Sequence, residues 1–175
     1  MLLRRVFDLR PHNENTHKMM SPLPDPEGTL WWVACHRFHS MMDGKDAYEQ
    51  ICIDPTNVHQ TAVTTPDGNM VSHLIQQGDC NVAATYQALM NHLFSPYISS
   101  FMDVYLDHII IYSYTVTDHV KHVKTIIDVP TCEKLCLSEK KLHFLCPKLQ
   151  ILGWIIMNDG IWITSMLSMM TRQAL

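Results

Sequence analysis

The run Val104-Tyr105-Leu106-Asp107-His108-Ile109-Ile110-Ile111-Tyr112-Ser113 constrains the fold more than any other part of the chain. Two apolar stretches flank an acidic position, the pattern of a β-hairpin that holds a carboxylate at its tip. A second carboxylate, Asp43, closes its own apolar approach over residues 30–42. Two carboxylates brought together on adjacent strands are what divalent-metal phosphoryl transfer needs. On spacing alone the better reading of each is an ordinary turn or strand-end aspartate, because 17 acidic residues offer many chance pairs.

A length of 175 residues suits one domain or part of a larger protein. With 47% hydrophobic and 17% charged residues, the chain has the material for a real core. The formal net charge of −4 gives no support for a broad basic face, although basic groups could still be clustered. No apolar run reaches the roughly 18 residues of a membrane span, and the start Met1-Leu2-Leu3-Arg4-Arg5 lacks a secretory apolar stretch. Six scattered cysteines do not form a secreted-domain framework, so a reduced, intracellular setting is expected, with no membrane partner.

Residues 11–29 hold Pro11, Pro22, Pro24, Pro26 and Gly28 and read as extended or looping chain. Tyr48 to Ile53 form a mixed apolar segment. Thr61 to Thr65 read as a strand, Pro66-Asp67-Gly68-Asn69 as a turn, and Met70-Val71 as the start of the return strand. Asn81 is placed to cap a helix running to about His92. After the hairpin around Asp107, a helix is expected from about Thr117, stopped by Pro130. Leu135 to Leu137 and His143 to Leu145 are short strand candidates. Ile151 to Met157, Asn158-Asp159-Gly160 and Ile161 to Ile163 read as a final hairpin. Interleaved helices and antiparallel hairpins argue for an α+β fold.

Several segments, taken in order, resemble the reverse-transcriptase family, most closely the gypsy-type long-terminal-repeat retrotransposons. They are Asp43-Gly44-Lys45-Asp46-Ala47-Tyr48, Gln77-Gly78 and Tyr105-Leu106-Asp107. Arg4 to Arg10 with Asn13, Pro22-Leu23-Pro24, Glu49-Gln50-Ile51, Asn81 with Ala84 to Gln87, Lys140-Lys141, Phe144 and Leu152-Gly153 extend the resemblance to about Gly160. It implies a polymerase palm: an antiparallel sheet bearing Asp43 and Asp107, helices packed on one face, and a partial fingers subdomain. The expected division is a reverse transcriptase domain over 1–163, with fingers at about 1–38 and 58–77 and palm at about 39–57 and 78–163. Residues 164–175 form a tail without family resemblance. It further implies that the chain opens inside the fingers, that no thumb or RNase H segment follows, and that it could belong to a longer polyprotein.

The implied activity is RNA-directed DNA polymerisation on an RNA or DNA template with a primer, using deoxynucleoside triphosphates. Asp43 and Asp107 would hold two Mg²⁺ ions. Tyr48 would lie under the incoming sugar, Gln77 and Arg4 would contact the nucleotide, and Lys141 would lie near the leaving pyrophosphate. Tyr105 and Leu106 would shape the floor under the primer end. Each has a plainer reading as a core aromatic, a solvated charge or a strand residue. Three positions depart from the family. His108 stands where a second aspartate is usual, and imidazole is a poor partner for Mg²⁺. Ala83 replaces a proline, and Pro130 interrupts a helix. His108 implies impaired activity, or an inactive remnant that binds nucleic acid or a partner.

Two other groups have metal-ligand character. Cys132, Cys136, His143 and Cys146 could in principle hold Zn²⁺, but buried free thiols are the simpler account. His119 and His122 lie one turn apart and read as a solvated helix face.

Overall fold

A computed structural model describes residues 8–146, 148–157 and 160–163 of the chain. Its centre is a three-stranded antiparallel sheet of β1 (Phe38–Asp43), β4 (Met102–Tyr105) and β5 (His108–Ser113), in the order β1-β5-β4. Before β4 come the short hairpin β2 (Val63–Thr65) and β3 (Gly68–Met70) and the helix α3 (Val82–Phe94). After β5 comes α4 (Val116–Cys132). A second antiparallel sheet follows, made of β6 (Lys148–Ile151), β7 (Trp154–Met157) and β8 (Gly160–Ile163) in sequential order. The fold is α+β, as expected from the hairpin pattern.

Side chains alternate across β5, so its continuous apolar run serves two cores at once. Ile109 and Ile111 pack with Met42, Met90, Phe94 and Ile126 under α3 and α4. Ile110 and Tyr112 pack with Met41, Val33, Leu149 and Ile156 on the opposite face. That second face is covered by the helix α2 (Pro26–Ala34) and the second sheet, so helices on one face alone is corrected. Ile109 through Tyr112 are fully buried, which makes the central strand the most tightly held part of the fold.

Residues 11–29 are not all looping. The structure has a short helix α1 (Arg10–Glu14), and Pro26 opens α2 at its first position, where a missing N–H costs nothing. Asp25 caps α2, accepting from the Glu27 and Gly28 amides. Asn81 precedes α3 but does not cap it with its side chain. Its amide instead donates to the His17 carbonyl and accepts from the Met19 N–H, at 2.8 Å each, tying the preceding loop to the helix start. Pro130 lies inside α4, two residues before its end. It removes one amide donor in a final turn that the Glu133 N–H still closes onto Val129.

The expected strand over Ile151 to Met157 breaks at Leu152-Gly153. Both residues take positive φ (51° and 82°) and turn the chain between β6 and β7. The β7–β8 hairpin matches the expectation, with Met157 opposite Gly160; Asn158 and Asp159 at its tip lie outside the described residues. Leu137 and His143 form single bridges to Gly44 and Met41 rather than strands. His119 is fully buried rather than solvated, with Nε2 2.7 Å from Ser40 Oγ and Nδ1 2.9 Å from Ser113 Oγ. His122 joins the same chain through Nδ1, 2.8 Å from Ser113 Oγ.

Candidate active site

The register of β1 against β5 sets Asp43 directly opposite His108. Directly opposed residues of an antiparallel pair share one side of the sheet, so this neighbourhood follows from backbone pairing alone. The β4–β5 hairpin turns through Leu106 and Asp107, with Tyr105 paired to His108. Leu106 takes a φ of +53°, the sign that tight hairpin turns demand at a central position. Gln87, fully buried on α3, holds this turn: its Oε1 accepts the Leu106 N–H at 2.7 Å and its Nε2 donates to the Val104 carbonyl at 3.1 Å. The Gly44 N–H donates to the Asp107 carbonyl at 3.0 Å, closing the turn onto the end of β1.

Gly44 itself cannot carry a side chain there. A Cβ would lie 2.7 Å from Tyr86 Oη and 2.9 Å from the Ala47 Cβ. Tyr86 packs edge-on against Tyr48, with centroids 5.5 Å apart. Burial and the neighbouring Asp107 push the Tyr86 hydroxyl up to about 12 and raise that of Tyr48, so both stay protonated donors.

Lys141 arrives from a strap over residues 136–146 that runs along the outer edge of β1. The strap is fixed by Lys45 N–H to Cys136 O, Ser138 N–H to Asp43 O, and paired bonds between Met41 and His143. Gln50 clamps its start, accepting the Cys136 N–H at 2.6 Å and donating to the Cys136 carbonyl at 3.0 Å. Between these anchors, a 3₁₀ turn over Glu139–Lys141 carries Lys141 Nζ to 2.8 Å from Asp43 Oδ2. That carboxylate raises the Lys141 pKa.

A cleft of about 250 Å³ is lined by Gly44, Asp46, Tyr48, Gln77, Asp107 and Lys141. Thus Tyr48, Gln77, Asp107 and Lys141 share one cavity; Asp43 joins it through Lys141, His108 pairs with Asp43 and with Tyr105, and Leu106 precedes Asp107 in the hairpin turn. Arg4 lies outside the described residues. Gln87, Gln50 and Tyr86 support the site without having been singled out for it. Gln87 carries one signal, a polar residue beside the apolar stripe of Tyr86, Met90 and Phe94.

The donor set suits a divalent cation in part. Asp43 Oδ1 is buried and has no hydrogen-bond partner, and Asp107 is a second carboxylate, 29% exposed at the mouth. Mg²⁺ takes few protein ligands and completes its shell with water and phosphate. His108 stands opposite Asp43, with Nε2 3.7 Å from Asp43 Oδ1 and Nδ1 3.6 Å from Asp107 Oδ1, and Asp46 adds a further carboxylate to the cleft lining. Among the described residues, no group of three or more His, Cys, Asp or Glu forms a ready metal cage. Cys132 and Cys136 are exposed and Cys146 half-buried, so buried thiols are corrected as well. No described helix is long and apolar enough to cross a membrane.

Residues 3–156 match the family described as Reverse transcriptase (RNA-dependent DNA polymerase). The Retrovirus-related Pol polyprotein from transposon 297 of Drosophila melanogaster is 30% identical over 90% of this chain and 15% of its own length. The Pol polyprotein from transposon gypsy of the same organism is 26% identical, also over 90% of this chain and 15% of its own. The putative enzymatic polyprotein of Cassava vein mosaic virus is 27% identical over 90% and 24%. The chain therefore spans a quarter or less of these curated relatives. Among solved structures, the foamy viral protease-reverse transcriptase bound to an RNA/DNA hybrid superposes with a TM-score of 0.82 at 23% identity, over 92% of this chain and 22% of that one. Its complex with double-stranded DNA gives 0.83 at 24%, over 93% and 34%.

Proposed function

The chain belongs to the reverse transcriptase family, and on that premise we propose that it is the polymerase palm, with part of the fingers, of a retrotransposon Pol protein, built for RNA-directed DNA synthesis. The observation that carries this reading is the cleft shared by Asp107 of the hairpin turn, Tyr48, Gln77 and Lys141, with the buried Asp43 at the end of β1 held 2.8 Å from Lys141 Nζ. We assign the palm to about 39–57 and 78–163 and the fingers to about 1–38 and 58–77. The relatives' titles, which name RNA/DNA hybrid and double-stranded DNA, support a primed template as partner, within a longer polyprotein.

Asp43 and Asp107 would hold Mg²⁺, two ions in a fully competent site, which supply Lewis acidity at the attacking primer 3′-oxygen and at the α-phosphate. The chain's own groups do the rest. Tyr48 stands where its ring excludes a 2′-hydroxyl, and Gln77 offers an amide to the nucleotide. Lys141, charged across the neutral range, neutralises negative charge as pyrophosphate leaves. Tyr105 and Leu106 floor the primer end, and Arg4 completes the nucleotide contacts.

A second reading, an inactive remnant that only binds nucleic acid or a partner, is favoured by His108. This imidazole stands where an oxygen donor belongs, and Lys141 already neutralises Asp43. Primer extension on an RNA template separates the two. Extension by the native chain that Asp107→Asn abolishes supports the polymerase. Extension that survives this substitution assigns the activity elsewhere.

A further inference from the structure

The two oxygens of Asp43 have divided environments. Oδ2 accepts the Lys141 ammonium at 2.8 Å, whereas Oδ1 is buried and has no hydrogen-bond partner. An unsatisfied buried carboxylate oxygen is costly and calls for a charge-bearing occupant beside it. The nearest candidate group is the His108 imidazole, whose Nε2 lies 3.7 Å away, too far for a hydrogen bond. A gap of that size does suit an intervening cation. Bonds of about 2.1 Å to a nitrogen and to an oxygen reach both atoms at a bent angle. The pairing of Asp43 with His108 across β1 and β5 fixes this gap through the backbone. The other ring nitrogen, Nδ1, faces Asp107 Oδ1 at 3.6 Å, and a carboxylate is a common outer partner of a metal-bound histidine. The ring is 35% exposed, whereas Asp43 is buried.

We propose that Asp43 Oδ1 and His108 Nε2 form a mixed carboxylate–imidazole seat for one divalent transition cation, and that His108 thereby shifts the cation preference of this site from Mg²⁺ toward Mn²⁺, Co²⁺ or Zn²⁺. The inference rests on the polymerase reading for the location of the cation site and adds the identity of the cation. Mg²⁺ is a hard ion that favours an all-oxygen octahedron, whereas neutral imidazole is a good donor to borderline transition ions. With two protein donors, water completes the shell, and Asp107 stays the outer partner of the imidazole. His108 in this account replaces one metal chemistry with another rather than only deleting a ligand.

Mn²⁺ is the probe. Binding to the purified chain is followed by loss of the free-ion electron paramagnetic resonance signal, with Mg²⁺ added as competitor. Pulsed measurements then read nitrogen coupling to the bound ion. The native chain is expected to need about tenfold more Mg²⁺ than His108→Asp to release Mn²⁺, and to show imidazole coupling that His108→Asp lacks. His108→Asn, which also lacks the ring nitrogen, provides the same loss of coupling if the added carboxylate disturbs folding. Equal Mg²⁺ competition in native and His108→Asp chains, or coupling that survives both substitutions, overturns the proposal. Mn²⁺ binding that persists unchanged in Asp43→Asn also overturns it, placing the ion elsewhere. None of these three results touches the polymerase reading, which primer extension tests separately. Absence of Mn²⁺ binding in the native chain overturns the seat. Its absence in His108→Asp as well argues against the shared cation site.

Discussion

At the scale of single residues, His108 and Tyr48 illustrate two kinds of legibility. His108 is legible because the family resemblance leads one to expect a carboxylate at that position, and the register sets it opposite Asp43. Its closeness to both carboxylates, and the orphaned Asp43 oxygen, are side-chain geometry that spacing cannot supply. Tyr48 was equally consistent with a core aromatic. The structure sets it edge-on to Tyr86 and in the lining of the cleft with Asp107. Shortening it opens space where the sugar would lie. Tyr48→Val is therefore expected to raise ribonucleotide over deoxyribonucleotide incorporation by about tenfold, read as the ratio of the two kcat/KM values. An unchanged ratio would return Tyr48 to a purely structural role.

At the scale of elements, hairpins were legible and helices less so. The β4–β5 hairpin announces itself through two apolar runs around one acidic turn. α2 was hidden because Pro22, Pro24, Pro26 and Gly28 look like loop, and only the position of Pro26 just after a capping Asp25 marks a helix start. α4 hid more. His119 and His122 sit one turn apart on a helix that reads as amphipathic, yet His119 points into the sheet. The Leu145 N–H donates to Ser40, and one assignment of the His119 and His122 tautomers continues that direction, Ser40 to His119, His119 to Ser113, and Ser113 to His122. In that direction both serine hydroxyls and the His119 N–H have acceptors, provided both imidazoles stay neutral. Burial first, then the nearby His39 and His122, push His119 down to about 4 from an ordinary 6.5.

The sign of the resulting pH dependence follows from linkage. Between these two values the unfolded chain binds the proton and the folded chain does not, so acid favours unfolding. This contribution is complete above about pH 6.5 and is lost as pH falls through about 4. His39 and His122, also lowered by burial, act in the same direction, while Asp118 beside His122 opposes it and Lys121 and His36 reinforce it. Thermal melts from pH 7 to pH 4.5 should show a falling Tm, with a shallower slope in His119→Gln. Parallel slopes would remove His119 from the acid response.

At the scale of the whole molecule, the central sheet is buried on both faces and presents its functional groups at one end. The site is assembled locally: the strap carries Lys141 to Asp43 at the end of β1, and the hairpin turn sets Asp107 in the same cleft as Lys141. The antiparallel palm sheet was readable from the strands. Cover on its second face was not, because Ile110 and Tyr112 look the same in sequence whether they meet helices or a second sheet. The strap over 136–146 was seen only as two short strand candidates, since its path is set by single bridges and by Gln50 rather than by periodicity.

The claim that joins these scales is that this is a polymerase centre limited by one imidazole. Single-nucleotide extension of a primer on an RNA template, with Mg²⁺ as the only divalent cation, measures it most directly. The account predicts that His108→Asp extends about tenfold faster than the native chain or more, and that adding Asp107→Asn abolishes the gain. A His108→Asp chain no faster than the native one would contradict it.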